Sequence, residues 1–156
     1  MRNLITLALG LLLWMASAEA QILRIGERVP TIDVDSSAGS DLKLVDKEYT
    51  CLIFMHSKSN PSIEAIRQFT AFTTPLRQRL GIVLLTPEQD GFEEEMLRNI
   101  TTNDTIIAFD NEGQTFSNFR VSYVPFAVIY STRTRRVAWF GSLSQLDESN
   151  IHTIIE

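Results

Sequence analysis

Residues 51–62 read Cys51-Leu52-Ile53-Phe54-Met55-His56-Ser57-Lys58-Ser59-Asn60-Pro61-Ser62, and Ile63, Ile66, Phe69 and Phe72 follow at three-residue intervals. The first five residues are apolar without alternation, which predicts a short strand buried on both faces. The spacing after Ser62 predicts an amphipathic helix. Pro61 suits the first turn of that helix, where its missing N–H leaves no bond unmade, and Asn60 suits the cap before it. Pro75 lacks the N–H needed to continue and should kink or restart the segment. A doubly buried strand running directly into a capped helix is the opening of an α/β unit.

The same grammar extends in both directions. Ile82-Val83-Leu84-Leu85, Ile106-Ile107-Ala108-Phe109 and Phe126-Ala127-Val128-Ile129-Tyr130 are further dense apolar runs. Val137-Ala138-Trp139-Phe140 follows the last of these after a short polar connection, 131–136, which predicts an antiparallel hairpin. Asp90-Gly91-Phe92-Glu93 reads as a capping box, with Phe92, Met96, Leu97 and Ile100 as its apolar face and Glu93, Glu94 and Glu95 complementing the helix dipole. Ile151, Ile154 and Ile155 mark a short final helix. Upstream, Ile32-Asp33-Val34-Asp35 and Leu42-Lys43-Leu44 alternate with period two, as edge strands do. The expected fold is α/β, with three layers: a central mixed sheet, helices on both faces, and a C-terminal β-hairpin followed by a helix.

Composition narrows the chemistry. The 156 residues are 44% apolar and 21% charged, with a net charge of −5. An acidic chain is poorly suited to tracking phosphates, so no nucleic-acid partner is expected. The lone cysteine, Cys51, cannot form an internal disulfide, and with His56 and His152 it shows no zinc spacing. The seven glycines fall in no dinucleotide-binding or P-loop pattern. Neither a cofactor nor a metal is expected.

Residues 1–20 read as an address. Met1-Arg2-Asn3 is a basic start, Leu4 to Met15 is an uncharged apolar run, and Ala16-Ser17-Ala18-Glu19-Ala20 offers small residues at cleavage spacing. The run of 12 residues is short for a membrane span, which needs ~20. A secretory signal peptide is therefore expected rather than a retained anchor. Cleavage fits after Ala18 or Ala20, and Ala20 is preferred. Residues 21–156 then form a single exported domain, periplasmic or secreted, with no membrane anchor once the leader is removed.

The order of motifs resembles the thioredoxin-like superfamily, most closely its branch of peroxiredoxins and exported thiol–disulfide oxidoreductases. Gly26-Glu27-Arg28-Val29-Pro30 is similar to the opening Gly-x-x-x-Pro of that branch. Cys51–Met55 resembles the central strand before the active-site loop. Val121-Ser122-Tyr123-Val124-Pro125-Phe126 is similar to the segment that carries the family's cis-proline, and Gly141-Ser142-Leu143 resembles the glycine turn before the last helix. The resemblance spans about Gly26 to Ile155. It implies a Cys-x-x-Cys pair at the start of the helix, whose dipole would activate the first thiol. Those positions map here onto Ser59 and Ser62, with Pro61 kept before the second. A peroxidatic cysteine would fall in the same loop, where none stands. Dithiol exchange and peroxide reduction are not expected of this loop.

The resemblance implies instead a redox-inactive domain that binds an unidentified polypeptide between Ser59, Asn60, Pro61 and Ser62 on one side and Val124 and Pro125 on the other. No catalytic residue is assigned. The alternative is an oxidoreductase or peroxiredoxin-like antioxidant of the cell envelope, acting through Cys51. A thiol inside an apolar strand behaves as a small hydrophobe, which weighs against it. His56 with Ser57 or Ser59 could be read as a Ser–His nucleophile, but no acidic partner or Gly-x-Ser-x-Gly elbow accompanies them. Arg133, Arg135 and Arg136 mark a basic hairpin tip, either a solvated turn or a contact for an acidic partner. Asn99-Ile100-Thr101 and Asn103-Asp104-Thr105 are formal glycosylation sequons. Intact mass of the exported protein should place the mature N-terminus at Gln21, or at Glu19 for the other site; Met1 retained on a membrane-bound form would overturn the leader assignment.

Overall fold

The computed structural model describes residues 22–34, 36–38, 46–87, 92, 94–99, 101–102 and 105–156. The leader, Leu42-Lys43-Leu44, most of the Asp90–Glu93 capping box, Ile100 and the Asn103-Asp104 pair lie outside them. The elements in chain order are β1 (Ser36–Ala38), β2 (Tyr49–Phe54), α1 (Asn60–Thr73), β3 (Leu80–Thr86), α2 (Glu94–Arg98), β4 (Ile106–Phe109), α3 (Gln114–Asn118), β5 (Phe126–Ser131), β6 (Val137–Ser142) and α4 (Glu148–Ile154). Short 3₁₀ turns at Thr74–Leu76 and Leu143–Gln145 complete the set. The first of these restarts the chain at Pro75, as its missing donor requires.

The strands form one mixed sheet in the order β1-β4-β3-β2-β5-β6. β2, β3 and β4 run parallel, while β1, β5 and β6 pair antiparallel to their neighbours. Each dense apolar run became a buried strand because both of its faces are covered. Cys51, Ile53, Ile82, Leu84, Ala127 and Ile129 face one core, filled from outside by Ile63, Ile66 and Phe69 of α1, by Leu97 of α2 and by Ile151 of α4. Leu52, Phe54, Val83, Leu85, Ala108 and Val128 face the other, covered by Phe116 and Phe119 from α3 and its end and by the N-terminal segment through Leu23, Val29, Ile32 and Val34. This is the expected α/β three-layer arrangement with its terminal hairpin and helix.

Three local expectations are corrected. Residues 32–34 form no strand. Their alternation does match burial, since Ile32 and Val34 pack inward, but Asp33 is satisfied by a side chain instead of a ladder. The Thr115 hydroxyl accepts from Asp33 N at 2.9 Å and donates to Asp33 O. The strand forms further on, at Ser36–Ala38 against β4. Second, Ser59 rather than Asn60 caps α1, because the Ser59 backbone is still extended (φ −91°, ψ 105°) and its Oγ reaches Ser62 N. Asn60 is the first helical residue. Third, Gly141 lies inside β6 rather than in a turn, with φ +157°. A Cβ there would lie 3.2 Å from the Trp139 ring.

Thr115 is fully buried, and its one hydroxyl serves both polar groups of Asp33. Thr115→Val should therefore cost about 1–3 kcal/mol, because the shape is kept while two backbone groups lose their partner. Urea unfolding should show a lowered midpoint for Thr115→Val and little change for Thr115→Ser; equal midpoints for Val and wild type would refute the bond's role.

Candidate functional site

The site is built where β2 and β5 meet. Their antiparallel register sets Phe54, the last residue of β2, opposite Phe126, the first of β5. The loop after β2 and the Val124-Pro125 pair before β5 thus emerge from the same end of the sheet. Met55 N still donates to Leu85 O at 2.9 Å, after which the chain leaves the ladder. Ser59 N then donates to His56 O at 3.0 Å, closing a turn into α1.

Ser59 Oγ accepts from Ser62 N at 3.3 Å, and Ser59 O accepts from Ile63 N at 3.0 Å. Ser59 is half-buried, while Asn60 and Pro61 are exposed on the first turn. Ser62 is wholly buried, and its hydroxyl has no hydrogen-bond partner among the described residues. The two serines therefore differ: one is an N-cap at the surface and the other a buried, unsatisfied hydroxyl.

The Val124-Pro125 peptide bond is cis. Pro125 is buried, and its carbonyl accepts from Leu143 N at 3.1 Å, in the 3₁₀ turn against which α1 packs. Val124 is half-buried against the second core. Its own N–H and C=O make no hydrogen bond to another described residue. An extended chain could pair with such a backbone as it would with a sheet edge.

Aromatic rings line this end of the molecule, a feature the sequence reading missed. Phe54 meets Phe116 edge-on at 5.0 Å and lies 6.0 Å from Phe126. Phe126 in turn contacts Tyr123 edge-on at 5.5 Å and lies 6.5 Å from Phe140. Tyr123 and Phe140 stand at the surface, 50% and 36% exposed. Strand alternation across β5 and β6, with Val128 opposite Phe140, was the available signal for Phe140. Tyr123 had only its position beside the proline. The ring of His56 lies 6.1 Å from that of Phe116.

The helix α3 was also missed. Asp110 organises it: its carboxylate accepts from Phe116 N at 2.9 Å and its carbonyl accepts from Gly113 N at 2.9 Å. Gly113 sits at φ +70°, a conformation that favours glycine. The Asp-Asn-Glu-Gly run at 110–113 was the turn signal. Because Phe116 contacts both Phe54 and His56, this buried carboxylate holds the floor of the site in place.

The nucleophile readings fare differently. Ser57 is wholly buried, and Ser59 is engaged as a cap. Among the described residues, no group of three or more His, Cys, Asp or Glu side chains could hold a metal ion. Cys51 lies inside β2 between Ile82 and Ile129, fully buried, and burial pushes its thiol well above the ordinary range. The arginines of the hairpin tip lie at the opposite end of β5 from Pro125.

No protein-family model matches the chain, and no curated protein matches it by sequence. Solved structures do match it. A thioredoxin-like protein determined in its oxidised form superposes with a TM-score of 0.68 at 15% identity, covering 85% of this chain and 97% of that one. StoA from Bacillus subtilis gives 0.63 at 16% identity, over 83% of this chain and all 100% of StoA. A secreted disulfide oxidoreductase of Mycobacterium tuberculosis, homologous to DsbE of E. coli, gives 0.54 at 11% identity, over 69% and 80% of the two chains. The fold is thioredoxin-like, and it resembles that of thiol–disulfide oxidoreductases.

The burial of Cys51 has a pH consequence. The folded thiol stays protonated where an unfolded one ionises, near pH 9. Above that pH the native state holds one more proton than the unfolded state, so stability falls as pH rises, by about 1.4 kcal/mol per pH unit from this group. Cys51→Ala should remove that contribution from the alkaline limb of a denaturation series between pH 8 and 11, and a thiol reagent should label wild type only on unfolding. Rapid labelling of the folded chain would show the thiol to be accessible.

Proposed function

We propose that the protein is an exported, redox-inactive thioredoxin-fold domain that holds an extended polypeptide beside its cis-proline. The observation that carries this reading is the pairing of two features at one end of the sheet. The first turn of α1 presents a serine cap and a buried serine where the resemblance puts two cysteines. At the same end, the Val124 N–H and C=O make no hydrogen bond to another described residue. The sole thiol of the chain is enclosed in the core.

In this reading Val124 offers the incoming chain its N–H and C=O, and Asn60 and Pro61 of the first helical turn form the facing wall. Tyr123 and Phe140, beside Phe126, add flat apolar surface at this end, which favours apolar or aromatic side chains on the partner. Ser59 and Ser62 cannot form or exchange a disulfide, so release depends on binding equilibrium alone. Export is supported by the leader motif and by the secreted M. tuberculosis neighbour. The competing reading, thiol–disulfide exchange through Cys51, draws on the oxidoreductase neighbours but requires a thiol that is both exposed and acidic. Cys51 is neither.

Photocrosslinkers placed at 59 and at 124 in the native compartment should capture the same polypeptide, and Val124→Asp should reduce that capture several-fold with the fold intact. Wild type should not reduce insulin, whereas Ser59→Cys with Ser62→Cys should create a titratable low-pKa thiol at the helix start. Absence of a specific adduct at both positions would sink the binding reading. Insulin turnover abolished by Cys51→Ala would instead establish the competing one.

A further inference from the structure

The hairpin joining β5 and β6 carries Arg133, Arg135 and Arg136, and the N-terminal segment lies across it. Gly26 N donates to Val137 O at 2.7 Å, Val137 N to Glu27 O at 2.8 Å, and Val29 N to Arg135 O at 2.8 Å. Arg136 Nη1 donates to Gly26 O at 2.6 Å, and Arg28 bridges to Arg136 through the backbone. Five arginines, at 24, 28, 133, 135 and 136, are thereby gathered at one pole of an acidic protein.

Among the described residues no ion pair joins Arg133, Arg135 or Arg136 to an acidic side chain. Glu27 pairs with Arg24 at 3.7 Å. The adjacent 46–48 loop, joined through Thr132 N to Glu48 O, contributes Asp46 and Lys47, which balance, and Glu48, whose carboxylate is held by Arg79 at 2.7 Å. Arg136 bonds a neutral carbonyl and Arg135 lies 5.1 Å over the Tyr130 ring, so both keep their charge. Beyond residue 20, the rest of the chain carries eight basic and seventeen acidic side chains, so a gathered set of arginines stands out against an acidic chain.

Two isoleucines stand among these arginines. Ile22 and Ile25 are 56% and 67% exposed, the two most exposed large apolar side chains among the described residues. Leu23 between them packs into the second core, which holds the segment in place. A solvated turn accounts for arginines but not for isoleucines displayed beside them. A soluble acidic partner would meet the charge alone. Apolar side chains that enter the headgroup boundary, ringed by guanidinium groups that bond lipid phosphates, meet both features. Cleavage after Ala20 would add an α-ammonium at Gln21, next to Ile22.

We propose that this pole is a peripheral docking face for an anionic lipid bilayer. β5 spans six residues, about 20 Å, from the Pro125 end to the hairpin, so docking turns the candidate groove away from the membrane. The proposal does not depend on what the groove binds.

Co-sedimentation of the purified, exported chain with phosphatidylcholine vesicles, with and without phosphatidylglycerol, tests it. Binding should require phosphatidylglycerol and weaken with salt. Arg133→Gln should lower the partition coefficient about fivefold, and Ile25→Asp should lower it at least as much. Both positions are exposed, so melting temperature should not change. The proposal is overturned by equal binding to neutral vesicles, by binding that survives both substitutions, or by no binding to either vesicle, including the case in which a soluble acidic protein takes up the patch.

Discussion

The antiparallel pairing of β2 with β5 is the constraint on which the rest depends. Because Phe54 stands opposite Phe126, everything that follows β2 must meet everything that precedes β5. The serine-capped helix start and the cis Val124-Pro125 bond share one edge of the sheet for that reason, although more than sixty residues separate them in sequence. The rings of Phe54, Phe116 and Phe126 fill the space beneath, and Asp110 holds Phe116 by its backbone amide. One register, one proline and one buried carboxylate thus bring the helix start and the Val124-Pro125 segment together.

What the sequence revealed follows from how strongly each element advertises itself. The buried strands are dense runs of β-branched and aromatic residues, and the spacing of α1 is unambiguous. The architecture and the hairpin were readable on those grounds, and the cis-proline segment through its resemblance to the thioredoxin-like superfamily. The misses share a different cause. Asp33 alternates like a strand residue but bonds a threonine 82 positions away, a contact that no local pattern encodes. α3 is five residues long with little periodicity, and it exists because Asp110 and Gly113 fix its entry. Phe140 reaches the ring of Phe126 only after β5 and β6 pair, so its place at the site was hidden in a long-range register. The helix cap was misplaced by one residue because Asn and Ser cap about equally well and only backbone geometry separates them.

The two ends of the sheet divide the surface by chemistry. At one end, among the described residues, lie backbone groups without a partner, serine hydroxyls and exposed aromatic rings. At the other lie arginines and exposed isoleucines. Six-residue strands keep the two apart, so a partner at one end does not obstruct the other. The separation matters for the proposed functions together: a bilayer gathered by the arginine pole leaves the groove open to an extended chain on the outward side. It also disposes of the hairpin tip as an extension of the groove, since β5 itself stands between them.

The two serines of the first helical turn also differ in what they contribute. At 59 an oxygen is well suited, because its lone pair accepts from Ser62 N and satisfies one of the donors a helix start leaves open, a bond worth about 1 kcal/mol. At 62 an oxygen is poorly suited. A buried hydroxyl without a partner costs about 1–3 kcal/mol, whereas a thiol in the same space packs as a small hydrophobe. Packing alone therefore favours sulfur at 62 and oxygen at 59. The local structure at the helix start rests on the Ser59 bond, while the Ser62 hydroxyl is buried without a partner among the described residues.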